Sequence, residues 1–315
     1  MLSSAISELT RELKKRGARR VALQFPEGLK RKAAGYAAAL KEGGFDVMVS
    51  GDPCYGACDL ALDTLDQADV LVHVGHAPVD AQDRVIFIPY SVDFDVTILG
   101  KAIPLLRQKT IGLVTTVQHV HLVPAMEEYL RSQGIDARVA EGRGRTPCRG
   151  QVLGCSFTAA KDTEADEILY VGTGLFHPIG IALSTKKRVV ALDPLSGIAS
   201  EVSGDTLLRR RFGIIEKAKA ARSIGIILST KSGQARKELA ERLAALSPGA
   251  VIVTMKEVSP DELTNLSFGC YVNTACPRLA YDDQVRFPVP VLSPQEFEIV
   301  CGMRNWDDYT VDEIP

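Results

Sequence analysis

One unit recurs three times along this chain: a β-branched strand, a small or polar turn, a helix and a second strand. The copies run from Arg19 to Ser50 (RRVALQFPEGLKRKAAGYAAALKEGGFDVMVS), from Gln108 to Ala140 (QKTIGLVTTVQHVHLVPAMEEYLRSQGIDARVA) and from Arg222 to Met255 (RSIGIILSTKSGQARKELAERLAALSPGAVIVTM). Strand, helix and strand in this order make a βαβ unit, with parallel strands and a right-handed crossover. Behind each copy comes another apolar strand that ends in a turn: ADVLVHVGHAP (Ala68 to Pro78), DEILYVGTGLFHP (Asp166 to Pro178) and FGCYVNTACPR (Phe268 to Arg278). A fourth strand closes each unit, in RVIFIPYS, RVVALDPLSG and VPVLSPQEFE. The expectation is an α/β protein of three similar parallel-sheet βαβ domains arranged with pseudo-threefold symmetry. Their ranges are 1–100, 101–212 and 213–315.

Size and charge agree with that reading. The chain has 315 residues, 46% hydrophobic and 24% charged, which suits two or three globular domains. A formal net charge of −2 argues against holding nucleic acid by bulk phosphate neutralisation. No apolar run approaches the roughly 20 residues that span a bilayer. The start, MLSSAISELTRELKKRG, reads as an amphipathic helix rather than a signal peptide. A cytoplasmic protein with no membrane partner and no direct nucleic-acid binding is expected, its thiols kept reduced.

The seven cysteines, at 54, 58, 148, 155, 270, 276 and 301, fall in three groups, one per third of the chain, with Cys301 apart. Ligands bind at the carboxyl ends of strands in open parallel α/β sheets. Cys58 follows the strand FDVMVSG, Cys155 follows the Gly- and Arg-rich loop EGRGRTPCRGQVLGC, and Cys276 follows CYVN. All three lie on turns beside Gly or Pro. Units packed about a pseudo-threefold axis would let the three thiols meet. Structural zinc sites are normally closed by four ligands, and iron–sulfur clusters are held by thiolates. Three thiolates on a 4Fe–4S cluster leave one iron open to a substrate. Two other readings stand beside this one: buried apolar cysteines, and a separate half-site made by Cys54 and Cys58.

The words CYGACD (Cys54 to Asp59), GQVLGCSF (Gly150 to Phe157), FHP (Phe176 to Pro178) and NTACPRLAYDD (Asn273 to Asp283) follow one another in the order of a known family. They resemble the archaeal diphthamide-synthesis enzymes, the 3-amino-3-carboxypropyl transferases that modify translation elongation factor 2. The resemblance covers nearly the whole chain. It implies a homodimer of a triplicated fold, with one cysteine per domain on a 4Fe–4S cluster: Cys58 in YGAC, Cys155 in LGC and Cys276 in ACPR. Cys54 becomes a non-ligand, and Cys148, Cys270 and Cys301 match no family position. The implied reaction cleaves the Cγ–S bond of S-adenosylmethionine reductively, using an unidentified electron donor. The 3-amino-3-carboxypropyl radical adds to a histidine ring carbon of elongation factor 2, and methylthioadenosine leaves. No CX3CX2C triad is present, so the chain is not an ordinary radical S-adenosylmethionine enzyme.

Other residues are candidates for holding S-adenosylmethionine. The turns QFPEG (with Gln24 and Glu27), TTVQH and STKSGQ (with Ser232, Gly233 and Gln234) each open a helix, where N–H groups attract a carboxylate. Plain N-capping is the alternative. His76 and His177 occupy corresponding turns, each close before a proline, and suit hydrogen bonding or proton movement. Thr173 and Gly174 allow a close backbone approach. Arg278 suits a carboxylate clamp, a counter-charge to the cluster, or a pair with Asp282 or Asp283. Tyr55 and Gly56 of the cysteine turn complete the set. The basic run LLRRRF (Leu207 to Phe212) reads as a solvated face. Competing functions are a three-domain 4Fe–4S lyase of the quinolinate synthase type, a non-catalytic cluster-binding partner subunit, and a zinc-stabilised binding protein.

Overall fold

The computed structural model describes residues 2–314, with side chains from residue 6 onward. The chain forms two compact units, Met1–Ser91 and Val92–Pro315. In the first, α1 (Leu2–Lys15) precedes β1 (Arg20–Gln24), α2 (Ala33–Glu42), β2 (Asp46–Val49), β3 (Val70–Gly75) and β4 (Val85–Pro89). The strands pair in parallel in the order β2-β1-β3-β4. Leu9 and Leu13, one turn apart on α1, close over Val21, Leu23, Leu40 and Val72. All six residues of β3 are buried, as a central parallel strand covered on both faces requires.

The second unit holds two sheets. The first contains β5 (Thr110–Thr115), α3 (Val123–Ser132), β6 (Asp136–Arg138), α4 (Thr158–Lys161), β7 (Glu167–Val171), α5 (Phe176–Thr185), β8 (Arg188–Asp193) and β9 (Ile198–Val202). Its order is β6-β5-β7-β8-β9, with only β9 antiparallel. After α6 (Asp205–Ala218) come β10 (Ile224–Ser229), α7 (Lys237–Ala244), β11 (Val251–Met255), α8 (Pro260–Leu266), β12 (Cys270–Asn273), α9 (Arg278–Tyr281), β13 (Val291–Leu292) and α10 (Pro294–Val300). This sheet runs β11-β10-β12-β13, all parallel. The second–first–third–fourth strand order thus occurs three times, and the expected α/β class with three parallel βαβ sheets is borne out.

Two connecting segments belong to the cores they cross. Leu99 and Ala102 are fully buried with Ile111, Leu113, Leu169 and Leu192 of the second sheet. Leu207 and Leu208 of α6 pack on the second sheet, while Ile215 and Ala218 enter the third core. Each fully buried Val, Leu or Ile contributes about 1.5–3 kcal/mol, so these segments are fixed parts of the second unit.

Two sequence expectations change in detail. Short 3-10 helices, Glu27–Lys32, Val120–Leu122 and Ser232–Gln234, stand between each first strand and its α-helix, and none has a side-chain N-cap bond. The run LLRRRF is not wholly solvated. Arg209 and Arg210 are exposed, but Arg211 is completely buried. Successive helical residues point about 100° apart, so a run of three arginines cannot stay on one face.

Candidate functional site

The cysteine turn of the first unit is built on its own backbone. The amide of Asp59 donates to the Gly56 carbonyl at 3.0 Å, and the Tyr55 amide donates to Asp59 Oδ2 at 3.3 Å. Cys54 is buried, Cys58 is half-buried and Tyr55 is 67% exposed. A Cβ on Gly56 would stand 3.4 Å from Cys58 Sγ, so the glycine leaves the sulfur room. Behind the turn, Gln24 Nε2 donates to the Asp59 carbonyl at 2.8 Å, and Gln24 Oε1 accepts from the Ala61 amide at 3.2 Å. Gln24 also meets His73 Nδ1 at 2.9 Å, and His73 Nε2 meets His76 Nδ1 at 2.9 Å. Burial pushes the His73 pKa down to about 3 and lowers that of His76. Glu27 lies outside this network and pairs with Lys30 at 2.7 Å.

In the second unit the loops of Cys155 and Cys276 meet at one ring. A Cβ on Gly154 would stand 2.3 Å from Phe176 Cε1, so the ring rests directly on the backbone before Cys155. The guanidinium carbon of Arg278, two residues after Cys276, lies 4.8 Å from the centre of the same ring. Such a cation–π contact is worth about 0.5–2 kcal/mol. Gly154→Ala is therefore expected to cost about 1–3 kcal/mol by overpacking. Thermal denaturation checks this, and Phe176→Leu in the same chain should recover part of the loss. An unchanged melting temperature for Gly154→Ala would contradict the contact.

A C-terminal strap makes a second connection between the two loops. Arg236 donates through Nε to the Thr274 carbonyl at 2.7 Å and through Nη2 to the Ala275 carbonyl at 3.0 Å. The same guanidinium grips Asp312 at 2.9 and 2.6 Å, both groups being largely buried. Two residues on, the Ile314 amide donates to the Cys155 carbonyl at 2.8 Å. Between them, Glu313 accepts from the Phe157 amide, Lys161 and Ser184. The Asn273 side chain donates to the Cys276 carbonyl at 2.8 Å and accepts from the Ala275 amide at 3.0 Å, closing that loop.

The remaining expected residues take varied places. Thr173 and Gly174 form an exposed turn at the end of β7, with Gly174 at φ +76°, a conformation that glycine adopts without strain. His177 stacks on Tyr170 with ring centres 5.9 Å apart, and burial with the nearby Arg278 charge pushes its pKa down to about 4. Arg278 pairs with Asp282 at 2.8 and 3.0 Å, one of its three expected roles. Gly233 and Gln234 are buried and Ser232 is exposed; the Gly233 carbonyl accepts from buried Arg145 at 2.9 Å. Cys270 is core, its thiol pushed up to about 12 by burial, and Cys301 packs against the same core with a raised pKa. Burial also raises the Cys148 thiol.

His73, Arg236 and Asp312 were not singled out from sequence. The H-x-x-H spacing of His73 and His76 was a usable signal. Nothing local marks Arg236 or Asp312, which meet across 76 residues.

Comparison with known proteins bears directly on these loops. A family described as "Putative diphthamide synthesis protein" matches residues 25–311. The chain is 38% identical to 2-(3-amino-3-carboxypropyl)histidine synthase of Pyrococcus horikoshii, across 98% of this chain and 92% of that one. It is 32% identical to subunit 1 of the human protein of that name, across 94% of this chain and 71% of that one. The crystal structure of Dph2 from Pyrococcus horikoshii with a 4Fe–4S cluster superposes with a TM-score of 0.92 at 36% identity, covering 98% of this chain and 93% of the other. With the three cysteine words inside the matched span, the chain belongs to the diphthamide synthesis protein family.

Proposed function

We infer that this protein is a 2-(3-amino-3-carboxypropyl)histidine synthase, which carries out the first step of diphthamide synthesis. It transfers the 3-amino-3-carboxypropyl group of S-adenosylmethionine to a histidine ring carbon of translation elongation factor 2 and releases methylthioadenosine. The observation that carries this reading is the joining of the Cys155 and Cys276 loops through Phe176 and through the Arg236–Asp312 strap. Two cysteines on turns beyond strand ends, locked to common partners, make a thiolate donor set suited to an iron–sulfur cluster. Cys58, Cys155 and Cys276 are the proposed ligands. When bound, the 4Fe–4S cluster supplies the electron that opens the sulfonium–Cγ bond.

The chain's own residues do the rest. Asn273 and Arg236 hold the carbonyls around Cys276, and Ile314 holds that of Cys155. The exposed turn at Thr173 and Gly174, together with Gln24, Glu27, Tyr55, Gly56, His177, Ser232, Gly233, Gln234 and Arg278, is the proposed S-adenosylmethionine set. Three domains, one for each sheet, a homodimer, elongation factor 2 as protein substrate and a cytoplasmic location complete the reading. No helix among the described residues is long and apolar enough to cross a membrane.

The test is anaerobic purification with metal analysis, followed by dithionite, S-adenosylmethionine and elongation factor 2. About four irons per chain, as a 4Fe–4S centre requires, methylthioadenosine and a modified histidine are expected. Deoxyadenosine, or zinc without any nucleoside product, would overturn the reading.

A further inference from the structure

At the C-terminal edge of the first sheet, Gln24, His73 and His76 form a hydrogen-bonded series whose direction the backbone dictates. Gln24 and His73 are partners on the parallel strands β1 and β3, so both side chains leave the same face of the sheet. A backbone carbonyl can only accept and a backbone amide can only donate. The Asp59 carbonyl and the Ala61 amide therefore fix which end of the Gln24 amide is oxygen. That oxygen faces His73 Nδ1, so Nδ1 carries a proton. His73 is completely buried, and its lowered pKa keeps the ring neutral, leaving a lone pair on Nε2. His76 Nδ1 must donate to that lone pair. The proton of neutral His76 is thereby committed to Nδ1, and its Nε2 keeps an available lone pair. No hydrogen-bond partner for His76 Nε2 occurs among the described residues. Gly75, at φ +124°, makes the turn that ends the strand before His76. A Cβ there would stand 2.9 Å from Pro26.

The proposed reaction needs such a group. A ring C–H of the acceptor histidine is replaced by a C–C bond, while the sulfonium–Cγ bond breaks and neutral methylthioadenosine leaves. One positive charge enters on sulfur and one proton must depart from the ring carbon. The electron that opens the sulfonium returns as the ring regains aromaticity, so no outside oxidant is consumed. We propose that His76 is the acceptor of this proton, with Nε2 kept free by a relay that starts at the backbone behind Cys58 and passes through Gln24 and His73. The proposal rests on the function inferred above and gives His76 a role in bond formation rather than in holding S-adenosylmethionine. A metal on Cys54, His73 and His76, whose potential ligand atoms lie within 4.8 Å of one another, is the competing arrangement. It would require His73 or His76 to give up the bond that joins them.

Two measurements test the relay. In wild-type protein carrying 15N-labelled histidine, with His76 assigned by its loss in His76→Phe, NMR at neutral pH should show Nδ1 protonated and Nε2 unprotonated. A protonated Nε2 overturns the proposal. In turnover, His76→Phe should lower modified elongation factor per methylthioadenosine released by about 100-fold, the lower range for a lost general base. Equal loss of both products assigns His76 to binding or cleavage and overturns the proposal, as does an unchanged ratio. Absence of methylthioadenosine from the wild type would instead overturn the inferred function. Zinc that copurifies with the wild type and is lost in Cys54→Ala would overturn the relay in favour of the metal.

Discussion

Cys58→Ala, Cys155→Ala and Cys276→Ala are each expected to strip most of the iron from the anaerobically purified protein and to lower transfer at least 100-fold. With Cys58, Cys155 and Cys276 as its only protein ligands, the proposed cluster would have none to spare. Cys301→Ala is the control. Its thiol sits against the third core, with a pKa raised by burial, and has the character of a packed apolar group. Iron content and methylthioadenosine yield should stay near wild type there. Full iron in any of the first three variants would remove that cysteine from the ligand set.

Arg211→Met should be the most damaging change outside the proposed ligand set. Arg211 and Glu296 are both fully buried, joined at 2.8 and 2.5 Å. The guanidinium also donates to the Ala280 and Val291 carbonyls, at 2.5 and 2.8 Å. Glu296 closes the capping box of α10 and accepts from Tyr309. Removing the cation strands a buried carboxylate, which costs about 3–5 kcal/mol. A melting temperature lower by about 10 °C is expected on that basis. Replacing both partners, Arg211→Met with Glu296→Leu, should recover at least half of the loss, because two apolar groups need no counter-charge. Circular dichroism melts of the three proteins decide it; a double variant less stable than Arg211→Met would contradict the reasoning.

The sheets were legible because parallel strands buried on both faces write themselves as apolar runs, and the same strand order followed three times. The turns that carry Cys58, Cys155 and Cys276 were legible because strand, turn and cysteine are neighbours in sequence. What escaped was set by distance. His73 hides inside VLVHVG, where an apolar strand pattern swallows one polar residue whose partner, Gln24, lies 49 positions away. Arg211 is the inward member of an arginine run, and only Glu296, 85 positions on, explains its burial. The 3-10 turns ahead of the α-helices escaped because one turn of either helix asks for the same residues.

The strap has a kinetic meaning. Its bonds join residues very far apart in the chain, the longest spanning 159 positions from Cys155 to Ile314. Contacts of such separation close late, since the chain entropy of a large loop must be overcome before they contribute. During synthesis the Cys155 loop emerges well before its partner at Ile314 exists. Until then the loop lacks the hydrogen bond that fixes its carbonyl, and the Cys276 loop lacks the Asp312 carboxylate that orients Arg236. The shaping of both cysteine loops is thereby scheduled behind folding: they acquire their final register only once residues 312–314 have been made and docked.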